Sequence, residues 1–533
     1  MDKIVILDFG SQTTQLIGRR IRDLGVYTEI VPGDSALDAA LDAALNAENG
    51  VKGIILSGSP ESVCGHGAVP DRKIYDCGLP LLGICYGLQR MTHDLGGKVE
   101  PLPKREYGRV EVKIKDTGDS IASRFLKGFR SSFTAWMSHG DTLTKLAPGF
   151  REYGTSGTGY PAVAAHEEKP WFGLQFHPEV THCEGGDEIL GAFVFGVCGC
   201  AAGWSMEHYA EELNASLKAR AGEAPVLLLI SGGVDSTVAA AALLKSLKSD
   251  QVHLMYMDTG LMRKNETAVV RASLEKLGAL NVHVVMCEDE FLSALKGLSE
   301  PEAKRKVIGD LFITIQEREV ARLGLPDNYL LAQGTLYTDL IESGKGVGKK
   351  AHVIKSHHNV ASPLVDAKRK AGKIIEPLDR LYKDEVRALG RYLGVDDEIV
   401  RRHPFPGPGL AVRIIGEVTK EKCEILREAD AVFIEELKRR RGATEHSLYD
   451  EIWQAFAVLL PVRSVGVAGD VRKYGQVLAL RAITSADGMT ADVYPFETKD
   501  LLEISTRITN SVPEIGRVTY DISSKPPATI EWE

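Results

Sequence analysis

The apolar residues in the first third of the chain fall into short runs, Ile4 to Leu7, Ile54 to Leu56 and Leu81 to Ile84, each closing on Gly, Asp, Ser or Cys. Strands buried on both faces of a parallel sheet carry this pattern, because neither face needs a polar side chain, and functional residues gather at their carboxyl ends. Glycine-rich turns and helical patterns such as Thr14 to Leu24 lie between the runs. The alternation predicts an α/β domain. Near Gly203 the pattern changes. Glu207 to Arg220 places Tyr209, Leu213 and Leu217 on one face, which predicts a single amphipathic helix, and Gly222 to Pro225 ends it. A second α/β unit opens with the fully apolar Val226 to Ile230, and Val252 to Met257 and Val282 to Met286 repeat the type. Pro404-Phe405-Pro406-Gly407-Pro408-Gly409 then fixes a rigid non-helical segment. The remainder mixes helices and strands, with no repeat and no low-complexity tract. The expected boundaries are residues 1–203, 204–402 and 403–533.

Length agrees with that division, since 533 residues make about three domains at roughly 100–200 residues each. Apolar residues make up 44% and charged residues 26%, an ordinary globular balance. The net charge of −9 gives no basic excess for a nucleic-acid partner, and the run Lys438 to Arg441 reads as a solvated helix face. Eight cysteines in so long a chain are no disulfide framework. No leader pattern and no uncharged apolar stretch of about 18 residues stands out, so the expectation is a cytoplasmic protein without a membrane partner.

Two clusters carry chemistry. Gly83-Ile84-Cys85-Tyr86-Gly87 lies between an apolar strand and a helical stretch, the pattern of a nucleophile at a sharp strand-to-helix turn. The glycines permit the turn, and the helix start offers N–H groups and a positive dipole end to a thiolate. A thiol nucleophile needs a base, and the base an orienter. Phe176-His177-Pro178-Glu179 supplies both, with His177 to take the proton and Glu179 to hold the imidazole. A zinc reading of His177, His182 and Cys183 fits no ligand template, and Cys198-Gly199-Cys200 is too tight for a Cys-x-x-Cys pair.

The second cluster is Ser231-Gly232-Gly233-Val234-Asp235-Ser236-Thr237, between the strand Val226 to Ile230 and an Ala-rich helix. Small residues let backbone N–H groups converge on phosphate oxygens, the helix adds its positive end, and hydroxyls add donors. Asp235 would repel a phosphate unless it held Mg²⁺. Lys355, in the string Ile354 to Asn359, and Lys383, in Lys383 to Arg387, have the charge to neutralise a triphosphate. Gly344 to Lys349 lacks Walker spacing.

The cysteine cluster, with Ser57-Gly58-Ser59-Pro60, Gln89 and Ser138-His139-Gly140-Asp141, resembles the class I glutamine amidotransferases over about residues 1–200. The resemblance implies a Cys85-His177-Glu179 triad, an oxyanion hole from the Gly58 and Tyr86 N–H groups, and glutamine binding by Gln89 and Asp141. The family's usual second glycine is Ser59 here, which predicts a loop with less φ/ψ freedom. The 231–237 string resembles the PP-loop of the N-type ATP pyrophosphatases. His403 to Arg413 and the terminal Lys525 to Glu533 resemble the GMP synthase family, and with them the match spans the whole chain in one order. That resemblance implies an open parallel-sheet ATP pyrophosphatase domain after the amidotransferase domain, then a smaller α+β domain that dimerises. It implies glutamine, ATP and xanthosine monophosphate as substrates, with Mg²⁺, and GMP, AMP, pyrophosphate and glutamate as products through an adenylyl intermediate. It implies Arg263, Lys525, Ile530 and Glu531 as acceptor contacts.

The enzyme rivals are another ATP-pyrophosphatase transferase, such as NAD synthetase or a tRNA-thiolating enzyme. NAD synthetase typically pairs with a different type of glutaminase. Sulfur relay would need motif cysteines, and Cys287 and Cys423 lie in none. A nucleotide-sensing protein with dead sites is disfavoured by the intact Cys85, His177, Glu179 and Asp235.

Overall fold

The computed structural model describes residues 1–33, 50–65, 67–115, 121–337, 363–442, 444, 446–468, 471–485 and 490–533. Lys355 and the Gly344 to Lys349 loop lie outside these. The chain divides into two compact units, one of Met1–Tyr209 with Tyr337–Ser356, the other of Ala210–Leu336 with His357–Glu533.

The first unit is built on a nine-stranded sheet. Its strands are β1 (Lys3–Asp8), β2 (Tyr27–Pro32), β3 (Val51–Leu56), β4 (Leu81–Ile84), β5 (Lys98–Ile114), β6 (Ser132–Lys145), β7 (Phe150–Ser156), β8 (Pro161–His166) and β9 (Trp171–Leu174), in the order β2-β1-β3-β4-β9-β8-β7-β5-β6. From β2 to β9 all pairings are parallel, and from β9 to β6 they are antiparallel. In the parallel half every residue of Ile4–Ile6 and Ile54–Leu56 is wholly buried, because helices cover both faces. One of them, α1 (Thr14–Asp23), turns Ile17 and Ile21 into the core.

Helix α2 (Tyr86–Asp94) starts immediately after Cys85 and lies unusually close to the sheet. A Cβ on Gly87 would stand 2.2 Å from the Leu56 carbonyl oxygen, one on Gly83 2.5 Å from the Leu88 nitrogen, and one on Gly173 2.2 Å from the Leu88 side chain. Gly87 is therefore needed for contact between α2 and β3, not for backbone freedom.

Helix α3 (Met206–Ala221) follows as one piece, with Tyr209 and Leu217 buried and Leu213 half-buried, the face its periodicity predicts. The second unit contains a five-stranded parallel sheet of β10 (Val226–Ile230), β11 (Val252–Asp258), β12 (Asn281–Met286), β13 (Leu330–Ala332) and β14 (Ile374–Ile375), in the order β12-β11-β10-β13-β14. It also holds a four-stranded sheet in which β15 (Gln454–Ala468) and β17 (Asp492–Val493) run antiparallel to β16 (Val471–Thr484), and β18 (Ile515–Tyr520) runs parallel to it. Helices α4 (Val234–Ser246) and α5 (Glu266–Lys276) pack on the first of these sheets, α7 (Lys383–Tyr392) packs on α4, and α6 (Pro301–Leu323) lies beside the segment 409–413. Helices α8 (Lys420–Arg439) and α9 (Thr498–Ser511) pack on the second. One continuous apolar core runs under both sheets, from Leu227 and Met255 through Leu410 and Phe433 to Leu478 and Ile504.

Gly87→Ala is expected to destabilise the first unit by about 1–3 kcal/mol, since the added methyl meets backbone that has no room to yield. A lowered urea midpoint for that unit, against an unchanged midpoint in a control such as Gly203→Ala, where a Cβ meets open space, is the measurement.

Candidate active sites

Cys85 is the residue after β4, and its backbone holds φ +53°, a left-handed value that a side chain adopts only under constraint. Its N–H donates to the Leu174 carbonyl at 2.7 Å. Strands β4 and β9 run parallel with Ile84 opposite Leu174, so the chain leaving β9 passes beside Cys85 and carries His177 to it. The His177 N–H donates to the Trp136 carbonyl at 3.0 Å, which ties this segment to β6. Ninety-two residues of sequence separation are thus closed by one strand pairing.

The imidazole and its partner are buried, with His177 5% and Glu179 1% exposed. His177 Nδ1 lies 2.7 Å from Glu179 Oε1 and 3.5 Å from the Thr13 hydroxyl. Glu179 accepts the Nδ1–H, which leaves Nε2 to the Cys85 thiol. Burial alone would hold the imidazole neutral. The Glu179 carboxylate and then Cys85 outweigh it and raise the His177 pKa well above 6.5. A base held this way accepts a thiol proton and returns it to a leaving amine.

Around the thiol is a cleft of about 700 Å³ whose lining includes Ser59, Tyr86, Gln89, Arg105, His139 and Asp141. Gly58 packs against the imidazole, where a Cβ would stand 3.1 Å from His177 Cε1. Gln89 Nε2 donates to the Asp141 carbonyl at 2.8 Å, so two residues of the predicted glutamine site hold one another. Among the described residues, those with a side chain and a left-handed backbone are Cys85 and Asn265, not Ser59, whose hydroxyl accepts the Glu61 N–H at 3.1 Å. The serine therefore sits in the loop without strain. Gln175, whose amide lies 3.9 Å from Cys85 Sγ, joins the site unforeseen. A glutamine one residue past a strand has no motif to betray it.

In the second unit the 231–237 turn links β10 to α4. Gly232 holds φ +80°. The Ser236 hydroxyl accepts the Ser231 N–H at 3.2 Å, and the Thr237 hydroxyl donates to the Gly233 carbonyl at 2.9 Å. The turn lines a cavity of about 320 Å³ together with Arg263, Arg305, Lys383 and Arg387. Lys383 Nζ lies 2.6 Å from both Asp235 oxygens. Both side chains are about a third or more exposed, so the pair is weak and open to a ligand. Arg402 supports the turn from below, donating to the Gly232 carbonyl at 3.0 Å and to Glu266 at 2.6 Å.

The predicted acceptor residues separate. Arg263 reaches the cavity, donates to the His403 carbonyl at 3.0 Å and stacks over Phe405. Glu531 is held by Arg413 through two hydrogen bonds of 3.1 and 2.9 Å and by Gln454 at 2.8 Å. The Ile530 carbonyl accepts from the fully buried Arg481 at 2.8 Å, and Lys525 pairs through its backbone with Ala491. Arg263 and Arg413 flank the same Phe405 ring, which joins the two groups. The last residues do not fray: Glu533 is bound by the buried Lys304 at 2.5 Å. Burial pushes the His403 pKa down to about 4, and its neutral ring accepts the Ala455 N–H and donates to the Tyr449 carbonyl.

Three family models match the chain. One described as class I glutamine amidotransferase matches residues 5–197, one described as asparagine synthase residues 208–303, and one described as the GMP synthase C terminal domain residues 442–532. The GMP synthase (glutamine-hydrolyzing) of Geobacillus kaustophilus is 48% identical over 534 residues, covering 100% of this chain and 99% of that protein. The protein of the same name from Aquifex aeolicus is 48% identical over 533 residues, covering 99% of each. Among solved structures, a glutamine amidotransferase of Thermotoga maritima is 17% identical, covers 34% of this chain and 76% of its own, and has a TM-score of 0.25.

The raised His177 pKa sets a pH window. From 6.5 up to the raised folded value, the native chain holds a proton that the unfolded chain has released. The ion pair's stabilisation is whole below that window and is lost as pH rises through it. The stability gap between the wild type and Glu179→Gln is expected to narrow with rising pH in urea titrations. A gap that widens with pH would contradict the assignment.

Proposed function

The chain belongs to the glutamine-hydrolysing GMP synthase family, and on that premise we propose that it makes GMP from xanthosine monophosphate with glutamine nitrogen and ATP. The observation that carries the reading is the constrained Cys85 beside the buried His177–Glu179 pair, in one chain with a phosphate-cradling turn on a cationic cavity.

In the first unit, Cys85 attacks the glutamine amide carbon, and His177 takes the thiol proton and passes it to the departing ammonia. Water then cleaves the thioester to glutamate. The N–H groups of Gly58 and Tyr86 stabilise the tetrahedral oxyanion, a contribution worth about 3 kcal/mol per donor in other acyl-transfer sites. Gln89 and Asp141 seat the substrate. In the second unit, the 2-oxygen of the purine attacks the α-phosphorus of ATP and pyrophosphate leaves. Ammonia then displaces AMP from the adenylated ring. It must arrive unprotonated, because ammonium has no lone pair.

The Ser231–Thr237 turn, Lys383 and Lys355 are assigned to ATP, and Arg263, Lys525, Ile530 and Glu531 to the acceptor. Among the described residues no cluster of three or more His, Cys, Asp or Glu is assembled for a metal. A hard carboxylate at the cavity fits Mg²⁺, which keeps water and phosphate ligands and needs few from protein. Asp235 would hold it, and the ion would neutralise phosphate charge. Residues 1–203, 204–402 and 403–533 are assigned as glutaminase, ATP pyrophosphatase and acceptor-binding domains.

We assign a homodimer. Support comes from Val462, Val465, Val467 and Tyr474, all about half exposed or more on the β15–β16 hairpin. An apolar face of that kind marks an association surface. Eight free thiols suit a cytoplasmic location.

An assay with glutamine, ATP, Mg²⁺ and xanthosine monophosphate should yield GMP, AMP and glutamate in equal amounts. Cys85→Ala should abolish the glutamine-dependent reaction and leave synthesis from ammonium salts intact. Loss of both together would refute the division of labour between the two sites.

A further inference from the structure

Behind the cleft lies a second carboxylate–imidazole pair that the proposed mechanism does not use. His139 on β6 is 4% exposed and Glu106 on β5 is 5% exposed. His139 Nδ1 stands 2.8 Å from the Asp141 carbonyl oxygen, and Nε2 stands 3.1 Å from Glu106 Oε2. A carbonyl only accepts, so Nδ1 carries a proton. Glu106 Oε1 accepts from the Ser156 hydroxyl at 3.1 Å and from the Thr158 hydroxyl, which is how an ionised carboxylate is solvated inside a protein. Burial opposes that ionisation, but the hydrogen bonds from His139 and Thr158 outweigh it and lower the Glu106 pKa.

The Asp141 carbonyl that receives Nδ1–H also receives Gln89 Nε2–H, and the Ser138 carbonyl lies 3.8 Å from Cys85 Sγ. The segment 138–141, part of β6, therefore borders both nucleophile and cleft, and the His139 ring links its Asp141 carbonyl to Glu106 on β5. We propose that His139 and Glu106 are positioning residues of the glutaminase site, a buried imidazole packed between a buried carboxylate and the Asp141 carbonyl that fixes the surface on which glutamine is seated. The assignment rests on the glutaminase reading of this cleft. Neither residue touches the reacting atoms, so the effect falls on substrate binding before it falls on chemistry.

Selective ¹⁵N labelling of histidine tests the placement of the ring without reference to any activity. The His139 ring, assigned by its loss in His139→Asn, should carry a proton on Nδ1, the nitrogen that faces the Asp141 carbonyl. A ring protonated on Nε2 alone overturns the proposal even if the enzyme hydrolyses glutamine normally. Steady-state kinetics of glutamine hydrolysis then test the role. His139→Leu removes the hydrogen bond to Asp141 and the polar contact with Glu106, and should raise the KM for glutamine about tenfold, while kcat falls less than about threefold. His139→Asn places an amide N–H where Nδ1–H was and should recover part of that loss. Glu106→Gln leaves the packing and removes only the charge, and should raise KM by about threefold. Ammonium-dependent synthesis should be unchanged in all three. A KM equal to wild type in Glu106→Gln sinks the proposal, and that variant keeps its fold even if His139→Leu does not. An equal fall in glutamine- and ammonium-dependent rates, with Asn no better than Leu, would likewise overturn it in favour of a structural role.

Discussion

Everything in the first site depends on the parallel pairing of β4 with β9. The hydrogen bond from the Cys85 N–H to the Leu174 carbonyl is the last rung of that ladder, and it holds the cysteine at a left-handed φ while pointing the next segment past it. The chemistry needs a thiol, an imidazole and a carboxylate within hydrogen-bonding reach, and the sheet supplies that by register alone. Three glycines serve the same end. Gly83, Gly87 and Gly173 let α2 lie against three strands at distances no side chain would allow, which sets where the helix begins and so where its N–H groups point. A shift of the ladder by one residue would turn the Cys85 backbone away and leave His177 and Glu179 as a buried pair with nothing to act on.

The second unit reaches its geometry by charge. Arg402 is fixed between Glu266 and the Gly232 carbonyl, Arg413 between Glu531 and the Phe405 ring, and Lys304 among Glu533 and the carbonyls of Ala411 and Ile414. Each sets a largely buried cation against a carboxylate, the condition for a buried charge to be tolerable. The Arg413 and Lys304 pairs hold the far end of the chain against α6 and the segment 409–414. Lys383 and Asp235 differ: both are partly exposed, and among the described residues they pair with each other across the mouth of the turn.

The sequence by itself determined the elements and singled out two candidate centres. Apolar runs marked β1, β4, β10, β11 and β12 to within a residue, and β3 to within three, because a strand buried on both faces leaves little alternative composition. Cys85 and the 231–237 turn were legible for a local reason, since a nucleophile elbow and a phosphate-cradling turn each need small residues at fixed offsets along the chain. Tertiary structure alone decided which distant groups support them. The antiparallel half of the first sheet, with its long β5 and β6, brings Glu106 to His139. The β9 ladder brings Gln175 to Cys85, and folding of the last residues brings Glu531 to Arg413 and Glu533 to Lys304. These contacts span from 33 to 229 residues of sequence, and the hydrogen bonds that make them depend on register and packing rather than on local spacing, so no local pattern encodes them.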